Sequence, residues 1–250
     1  MIENFVEYLN PGDLLVLNDT KVLKARLNAR KHTGGFVEVL IERLLDNKCA
    51  LAQTKSNRKL LKGDFITVEG SSIEIKILDQ EGSLFKIQFS EEPKEILDIY
   101  GKVPLPPYIK RIADKQDEIR YQTVYANEEK ENSVAAPTAG LHFTKSQLKE
   151  IEQKGVGIAH ITLDIGLGTF APIRIEEIKN HVMHSERVSV VKEAADKINS
   201  VLNSDSRVIA VGTSVLRCLE SVFAKFNKMK PYEGETDLFI YPGYKLSLIH

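Results

Sequence analysis

Cysteine is scarce in this sequence of 250 residues, which contains only Cys49 and Cys218. Two cysteines so far apart match no metal-binding spacing, and their rarity predicts a protein of a reduced, cytoplasmic compartment. Long apolar runs are also missing, since none approaches the roughly 20 residues needed to cross a bilayer. The first residues carry neither a basic segment nor an apolar core, so no signal peptide and no membrane partner are expected.

The composition is that of an ordinary folded protein. Hydrophobic residues make up 42% and charged residues 28% of the chain, which excludes wholesale disorder. The length suits one large domain, or one domain with a smaller domain inserted into it.

The formal net charge of −1 gives little reason to expect a nucleic-acid partner, but the charge is unevenly distributed. Residues 21–62 contain 11 Lys and Arg against 3 Asp and Glu. A basic segment on a mildly acidic body can guide a polyanion to one face of a protein. The alternative is a solvated surface with no such partner.

Two patterns of secondary structure follow one another along the chain. Before residue 90, short β-rich segments alternate with Gly, Asn and Asp turns, which predicts a small antiparallel sheet or barrel. After residue 90, helices and strands alternate, which predicts an α/β layer domain. The predicted strands are 14–17, 36–45, 49–54, 65–69, 73–78, 84–89, 156–165, 188–191, 208–211 and 238–241, and the predicted helices are 93–100, 144–154, 192–202 and 213–226.

The first candidate site segment is 135–143, where small residues let the backbone approach a ligand closely. It contains Thr138, Gly140 and His142. A predicted helix follows at once, with Thr144 as its N-cap, so positive helix-end amide groups lie nearby. His142 could transfer a proton near neutral pH, or it could be structural.

The second candidate segment, 164–170, follows a predicted strand at the position where α/β sheets bind ligands. Gly166 and Gly168 form a Gly-x-Gly turn before Thr169, without the third glycine of a dinucleotide fingerprint. Asp164 could bind sugar hydroxyls or a cation. A glycine-rich turn without a ligand is the alternative.

The third candidate segment contains His181, His184 and Glu186. These three side chains could bind a metal, as in a metal hydrolase, but the His-Glu-x-x-His pattern is missing. Substrate contact or acid–base chemistry is the preferred interpretation, and plain packing is the other.

The fourth candidate segment, 208–217, reads as a strand that ends at Gly212 before a helix. Thr213 opens that helix, and Arg217 lies one turn further on, so the segment could bind an anion or a carboxylate. Outside these four segments, Tyr108, Arg111 and Tyr121 combine aromatic and cationic side chains. Such side chains stack on unpaired bases, although packing explains them equally well.

Together these segments resemble, in order, the S-adenosylmethionine:tRNA ribosyltransferase-isomerase family of queuosine biosynthesis. The resemblance covers nearly the whole chain. It rests on segments 11–20, 105–111, 121–125, 134–144, 166–170, 181–186, 211–217 and 240–243.

The resemblance implies a fold and a reaction. The fold is an α/β (mixed α+β) catalytic domain, residues 1–20 and 91–250, interrupted by a small inserted antiparallel β-barrel at 21–90. The reaction moves the ribosyl part of S-adenosylmethionine onto a 7-aminomethyl-7-deazaguanine base in the tRNA anticodon loop. Epoxyqueuosine-tRNA forms, adenine and methionine leave, and neither a metal nor a cofactor beyond the co-substrate is implied.

The resemblance also suggests roles for the candidate residues. His142, His181, His184 and Glu186 would transfer protons. The predicted substrate-binding residues are Thr138, Gly140, Asp164, Gly166, Gly168, Thr169, Gly212, Thr213, Arg217, Tyr108, Arg111 and Tyr121. A monomer is expected. Compared with the family, the chain starts late and ends early, so a truncated, non-catalytic tRNA-binding remnant is the alternative.

Overall fold

A computed structural model describes residues 2–111, 113–170 and 184–248. Its strands are β1 (Leu14–Asn18), β2 (Lys21–Val22), β3 (Arg26–Lys31), β4 (Phe36–Leu44), β5 (Cys49–Ser56), β6 (Phe65–Val68), β7 (Glu74–Glu81), β8 (Leu84–Phe89), β9 (Glu131–Ser133), β10 (Gly157–Leu163), β11 (Glu186–Val190), β12 (Val208–Ala210) and β13 (Tyr232–Thr236). Its α-helices are α1 (Pro93–Tyr100), α2 (Lys115–Arg120), α3 (Lys145–Gln153), α4 (Lys192–Leu202) and α5 (Gly212–Phe226).

The chain folds into two compact units. Unit 1 contains residues 1–21, 122–131 and 136–250, and unit 2 contains residues 22–121 and 132–135. The predicted fold class, an α/β domain interrupted by an antiparallel β-barrel, is confirmed. Unit 2 extends beyond the predicted segment 21–90, because α1, the proline-rich turn and α2 group with the barrel.

Unit 1 is built on a five-stranded mixed sheet in the order β12-β1-β10-β11-β13. Strand β1 pairs in parallel with both β10 and β12, and β11 is antiparallel to β10 and β13. All residues of β1 are buried, so this strand is covered on both faces. Strand β12 is only half-buried and lies at one edge of the sheet.

An ion pair fixes the start of two parallel strands in unit 1. Asp13 precedes β1 and Arg207 precedes β12, and the Arg207 Nη2 lies 2.5 Å from a carboxylate oxygen of Asp13. The main-chain N–H groups of Arg207 and Asn10 also donate to this carboxylate. Together these bonds, led by the one from the Arg207 side chain, lower the pKa of Asp13 to about 2.

Replacing Asp13 with Asn is expected to lower the free energy of unfolding by about 1–2 kcal/mol at pH 7. Because the folded-state pKa of Asp13 lies below its ordinary value of 3.8, this contribution is present above about pH 4. It is lost as the pH falls towards 2, so the variant and the parent should converge there. Urea unfolding across this pH range measures the effect. The exposed Asp205 supplies the control variant Asp205→Asn, and equal losses in both variants would contradict the assignment.

Helix α3 begins as the sequence predicts. The Thr144 hydroxyl accepts the Gln147 N–H, and the Gln147 side chain accepts the Thr144 N–H in return. Phe143 and Leu148 pack in the same apolar cluster, beside β1. Gly155 follows the helix with a φ of +82°, a conformation that favours glycine.

Unit 2 contains a closed six-stranded barrel in the order β3-β4-β5-β8-β7-β6. Strand β3 was not predicted, because basic and polar residues occupy most of its positions. Leu27 and Ala29 nevertheless point inward and are fully buried, while the alternate positions face outward. Pairing of β3 with both β4 and β6 closes the barrel.

The predicted strand at 238–241 is wrong. The last strand of the sheet is instead the polar β13, which pairs with β11 at the sheet edge. Leu238 cannot continue it as a regular strand, because its N–H donates to the Thr236 hydroxyl and its carbonyl accepts from the Arg217 side chain.

Candidate functional site

The carboxyl ends of three parallel strands place polar residues along one edge of the unit 1 sheet. Strands β12, β1 and β10 run in the same direction, so the residues after each strand lie at this edge. They are Gly212 and Thr213 after β12, Asp19 and Thr20 after β1, and Asp164 to Gly166 after β10. Strand β11 runs in the opposite direction and begins here with Glu186. Ligands of open α/β sheets bind at such an edge.

Asp19 is the centre of a buried polar network at this edge. One carboxylate oxygen accepts the Thr162 hydroxyl at 2.7 Å, and the other pairs with the Lys130 ammonium at 2.9 Å. The neighbouring Thr20 hydroxyl donates to the Asp164 carboxylate at 2.7 Å. Asp164, which was predicted to bind sugar hydroxyls, is therefore held by a hydrogen bond from Thr20, which follows the neighbouring strand β1.

Glu186 and Arg217 form an ion pair whose side chains are only 4% and 10% exposed. The second carboxylate oxygen of Glu186 accepts the N–H of Gly166 at 3.0 Å. The Arg217 Nε donates to the Leu238 carbonyl at 2.8 Å, and its buried Nη2 has no hydrogen-bond partner among the described residues. With both oxygens engaged in this buried position, Glu186 is suited to holding the 166 turn in place and poorly suited to the predicted proton transfer.

His184 packs against the glycine turn that follows β10. A Cβ atom placed on Gly168 would overlap the imidazole ring of His184. The His184 side chain is exposed, so the ring has one face on the turn and access to solvent. Gly168 is therefore required for the close approach of these two segments.

Replacing Gly168 with Ala is expected to displace the imidazole of His184, and any reaction in which His184 takes part should slow about tenfold or more, because small misplacements of a reacting group have large effects. Gly35 offers a matched control, since its φ is not positive and an added Cβ would make only an ordinary contact of 3.8 Å with the Lys31 side chain. Steady-state turnover of Gly168→Ala and Gly35→Ala provides the comparison. Parent-like turnover in Gly168→Ala would show that the position of this ring is unimportant.

The segment 138–142 lies beside the N-terminus of α5. Thr138–His142 forms a 3-10 turn, and a Cβ on Gly212 would lie 2.9 Å from the Cβ of Ala139. Gly212 also has a φ of +85°, which strains any other residue. His142 is exposed at the end of this turn, and Gly140 faces Tyr125 so closely that no side chain would fit.

Tyr125 and His160 form an aromatic pair near Asp19, with ring centroids 5.7 Å apart. The Tyr125 hydroxyl is buried without a hydrogen-bond partner in the described part of the chain. Burial, together with the negative charge of Asp19, raises the pKa of Tyr125 well above its usual value. Burial lowers the pKa of His160, which favours its neutral form.

Three predicted substrate-binding residues belong to unit 2. Tyr108 is 75% exposed and free to stack on a ligand, whereas Tyr121 is only 7% exposed and packs in the protein interior. Arg111 is held in a two-pronged ion pair by Asp117, with one bond of 2.8 Å. This pairing lowers the pKa of Asp117 to about 2.

His181 lies outside the described residues. Across the ranges 2–111, 113–170 and 184–248, no group of three or more His, Cys, Asp or Glu side chains is placed to hold a metal ion. In the same ranges, no helix is both long and apolar enough to cross a membrane.

Comparison with known proteins agrees with the resemblance of the segments. The family model described as "Queuosine biosynthesis protein" matches residues 1–250. The chain belongs to this family. The family prediction made from the sequence is thereby confirmed.

Relatives of this family member carry a specific enzyme name. S-adenosylmethionine:tRNA ribosyltransferase-isomerase of Francisella tularensis subsp. mediasiatica (strain FSC147) is 44% identical over 248 residues, which are 98% of this chain and 72% of that protein. The enzyme of the same name from Acinetobacter baumannii (strain AYE) is 43% identical over 250 residues, 100% of this chain and 72% of that protein. The enzyme class predicted from the sequence is that of these relatives.

A solved structure is similar as well. The crystal structure of S-adenosylmethionine tRNA ribosyltransferase from Thermotoga maritima shares 27% identity with this family member, at a TM-score of 0.42. The match covers 98% of this chain and 68% of that one.

Sequence reasoning did not single out Asp19 and Lys130 in this family member, and it considered Tyr125 only as part of segment 121–125. Asp19 and its neighbours Asn18 and Thr20 follow four apolar residues directly, and such a polar triplet at a strand end was the available signal. Lys130 gave no such signal, because it reaches the Asp19 region only through the fold.

Proposed function

We propose that this chain transfers and isomerises the ribosyl moiety of S-adenosylmethionine onto the 7-aminomethyl-7-deazaguanine base of tRNA. The products are epoxyqueuosine-tRNA, adenine and methionine. The observation that carries this proposal is the identity of 43–44% with enzymes named for this chemistry, over 98–100% of the chain. The clustering of glycine turns and histidines at one sheet edge is consistent with it.

The carboxyl edge of the unit 1 sheet is the proposed position of S-adenosylmethionine. Helix α5 starts at Gly212 without a side-chain cap, so its first N–H groups can receive the methionine carboxylate. The buried Nη2 of Arg217, which has no partner among the described residues, adds a donor close to the 166 turn. The remaining proposed contacts come from Thr138, Gly140, Asp164, Gly166, Gly168, Thr169 and Thr213.

The chemistry needs a base and an acid. The sulfonium acidifies the adjacent ribose carbon, so a positioned base can remove a proton there, and the departing adenine needs a proton. We assign these steps to His142, His184 and His181. Glu186 is assigned to positioning instead, because its carboxylate holds Arg217 and the Gly166 N–H.

The tRNA is the proposed macromolecular substrate. The basic residues 21–62 would contact its phosphates, and the target base would turn out of the anticodon loop into the site. The exposed Tyr108 fits a stacking role. The Tyr121 ring is buried in the protein interior, so we propose no stacking role for it.

Release of free adenine tests the reaction. The purified chain is mixed with S-adenosylmethionine and tRNA that carries the 7-aminomethyl-7-deazaguanine base, and adenine is quantified by chromatography. We expect release that requires both substrates. Binding of the tRNA without any adenine release would reject the enzyme and favour the non-catalytic tRNA-binding protein.

A further inference from the structure

Unit 2 carries a groove of about 500 Å³ on the outside of its barrel. We call it the outer groove. That volume lies in the usual range of small-ligand clefts. The residues that carry the argument are Arg26, Phe36, Glu38, Lys102, Pro106 and Lys110.

The outer groove follows from strand alternation and from proline. Leu27 and Ala29 fill the barrel interior, so Arg26 faces outward on β3. The backbone of Lys102 exchanges two hydrogen bonds with that of Arg26, at 2.8 and 3.1 Å. The chain then enters the proline-rich segment 104–107, which cannot pair as a regular strand. Its Pro106 and Pro107 line the groove together with Arg26 and Glu38.

The groove has more positive charge than its own carboxylate neutralises. Arg26 Nη1 lies 3.3 Å from the Glu38 carboxylate, the one acid that lines the groove. Lys102 and Lys110 have no acidic partner among the described residues. The Nε of Arg26 is buried and has no hydrogen-bond acceptor among the described residues. These donors call for an anionic oxygen ligand, such as a phosphodiester.

An exposed aromatic ring lies among these cations. Phe36 is 47% exposed on the outer face of β4, so packing in the protein core does not explain an aromatic residue at this position. The 75% exposed Tyr108 lies in the turn between the lining residues Pro107 and Ile109. Cations beside open aromatic rings are the chemistry that binds unpaired nucleotides.

We infer that the outer groove binds an unpaired nucleotide of the RNA substrate. Its phosphodiester lies against Arg26, Lys102 and Lys110, and its base stacks on Phe36. This inference rests on the proposed function only in taking RNA as the substrate. The charge of the groove favours RNA over an apolar or basic protein partner.

The chain offers a closely matched control. Phe65 begins β6 as Phe36 begins β4, both rings lie outside the barrel, and Phe65 is 46% exposed. Phe65 lies outside the groove, and the Lys76 ammonium sits 5.6 Å from its ring centroid. A general loss of barrel stability would affect Phe36→Ala and Phe65→Ala alike.

Affinity for tRNA is measured by fluorescence anisotropy with the parent, Phe36→Ala, Phe65→Ala and Lys110→Ala, after thermal unfolding shows that each is folded. Phe36→Ala is expected to bind about tenfold more weakly, and Phe65→Ala within about twofold of the parent. Lys110→Ala should lower the slope of log affinity against log salt by about 1. Equal losses in the two phenylalanine variants would overturn the inference.

Competing RNAs identify what occupies the groove. A short unpaired RNA should displace tRNA better than a fully paired RNA, and Phe36→Ala should remove that preference. Competition by free guanosine monophosphate that equals the unpaired RNA would reject a strand-binding groove. Preference for an acidic protein ligand over RNA would do the same.

The inference about the outer groove and the proposed reaction can be rejected independently of one another. The binding experiment contains no S-adenosylmethionine, so it stands even if no adenine is released. If adenine is released, Phe36→Ala should raise the KM for tRNA and leave the KM for S-adenosylmethionine unchanged. If adenine is released and Phe36→Ala binds tRNA as the parent does, the RNA-binding role of the groove is rejected and the proposed reaction is retained.

Discussion

Replacing Arg217 with Met should lower the free energy of unfolding by about 3–5 kcal/mol, because it leaves a buried carboxylate without its counter-charge. Glu186 is 4% exposed and cannot recover its hydration without local opening. The Leu238 carbonyl also loses the donor that Arg217 Nε supplies at 2.8 Å. Urea unfolding measures the loss.

A neighbouring ion pair provides the control for this prediction. Arg187 follows Glu186 on β11 and pairs with Glu233 at 2.7 Å, but these side chains are 55% and 68% exposed. Arg187→Met should cost less than about 1 kcal/mol, because solvent screens the exposed pair. If Arg217→Met costs no more than Arg187→Met, the buried pair is not a main support of the sheet edge.

A double variant separates the ion pair from the packing around it. Glu186→Leu combined with Arg217→Met removes both charges, so it should be less destabilised than Arg217→Met alone. The Gly166 N–H still loses its acceptor in the double variant. We therefore expect partly restored stability with low turnover, which would show that the loss of activity does not come from unfolding.

Local signals predicted much of the fold. Thr144 with Gln147 specified the start of α3, and alternating apolar residues specified most barrel strands. Strand β3 escaped prediction because its inward side chains, Leu27 and Ala29, are outnumbered by basic and polar ones. Strand β13 escaped because its stability comes from pairing with β11 and owes little to its own apolar content.

The site could be predicted only in outline. The glycine turns after Ala210 and Leu163 were each recognised as candidate site segments, and the parallel pairing of their strands with β1 brings both to one edge. The partners within that edge depend on contacts distant in sequence. Glu186 with Arg217 is such a contact, and nothing local distinguishes a carboxylate that will be buried from one that transfers protons.

His142→Ala and His184→Ala should each reduce turnover by about 10²- to 10⁴-fold, the range that general acid–base catalysis contributes. Both side chains are exposed, so their removal leaves no cavity, and the free energy of unfolding should change by less than about 0.5 kcal/mol. Single-turnover adenine release measures the chemical step directly, without the contribution of product release.

His32 is the control for the two histidine variants. It is an exposed histidine in the β3–β4 turn of unit 2, so His32→Ala should retain parent turnover and stability. If one histidine is the base and the other the acid, as proposed, His142→Ala and His184→Ala should also differ in their pH–rate profiles, because the base and the acid govern opposite limbs of such a profile. Loss of the same limb in both variants would mean that His142 and His184 serve one step, and the other proton would have to come from a different group. Parent-like turnover in both variants would place the chemistry elsewhere than at this sheet edge.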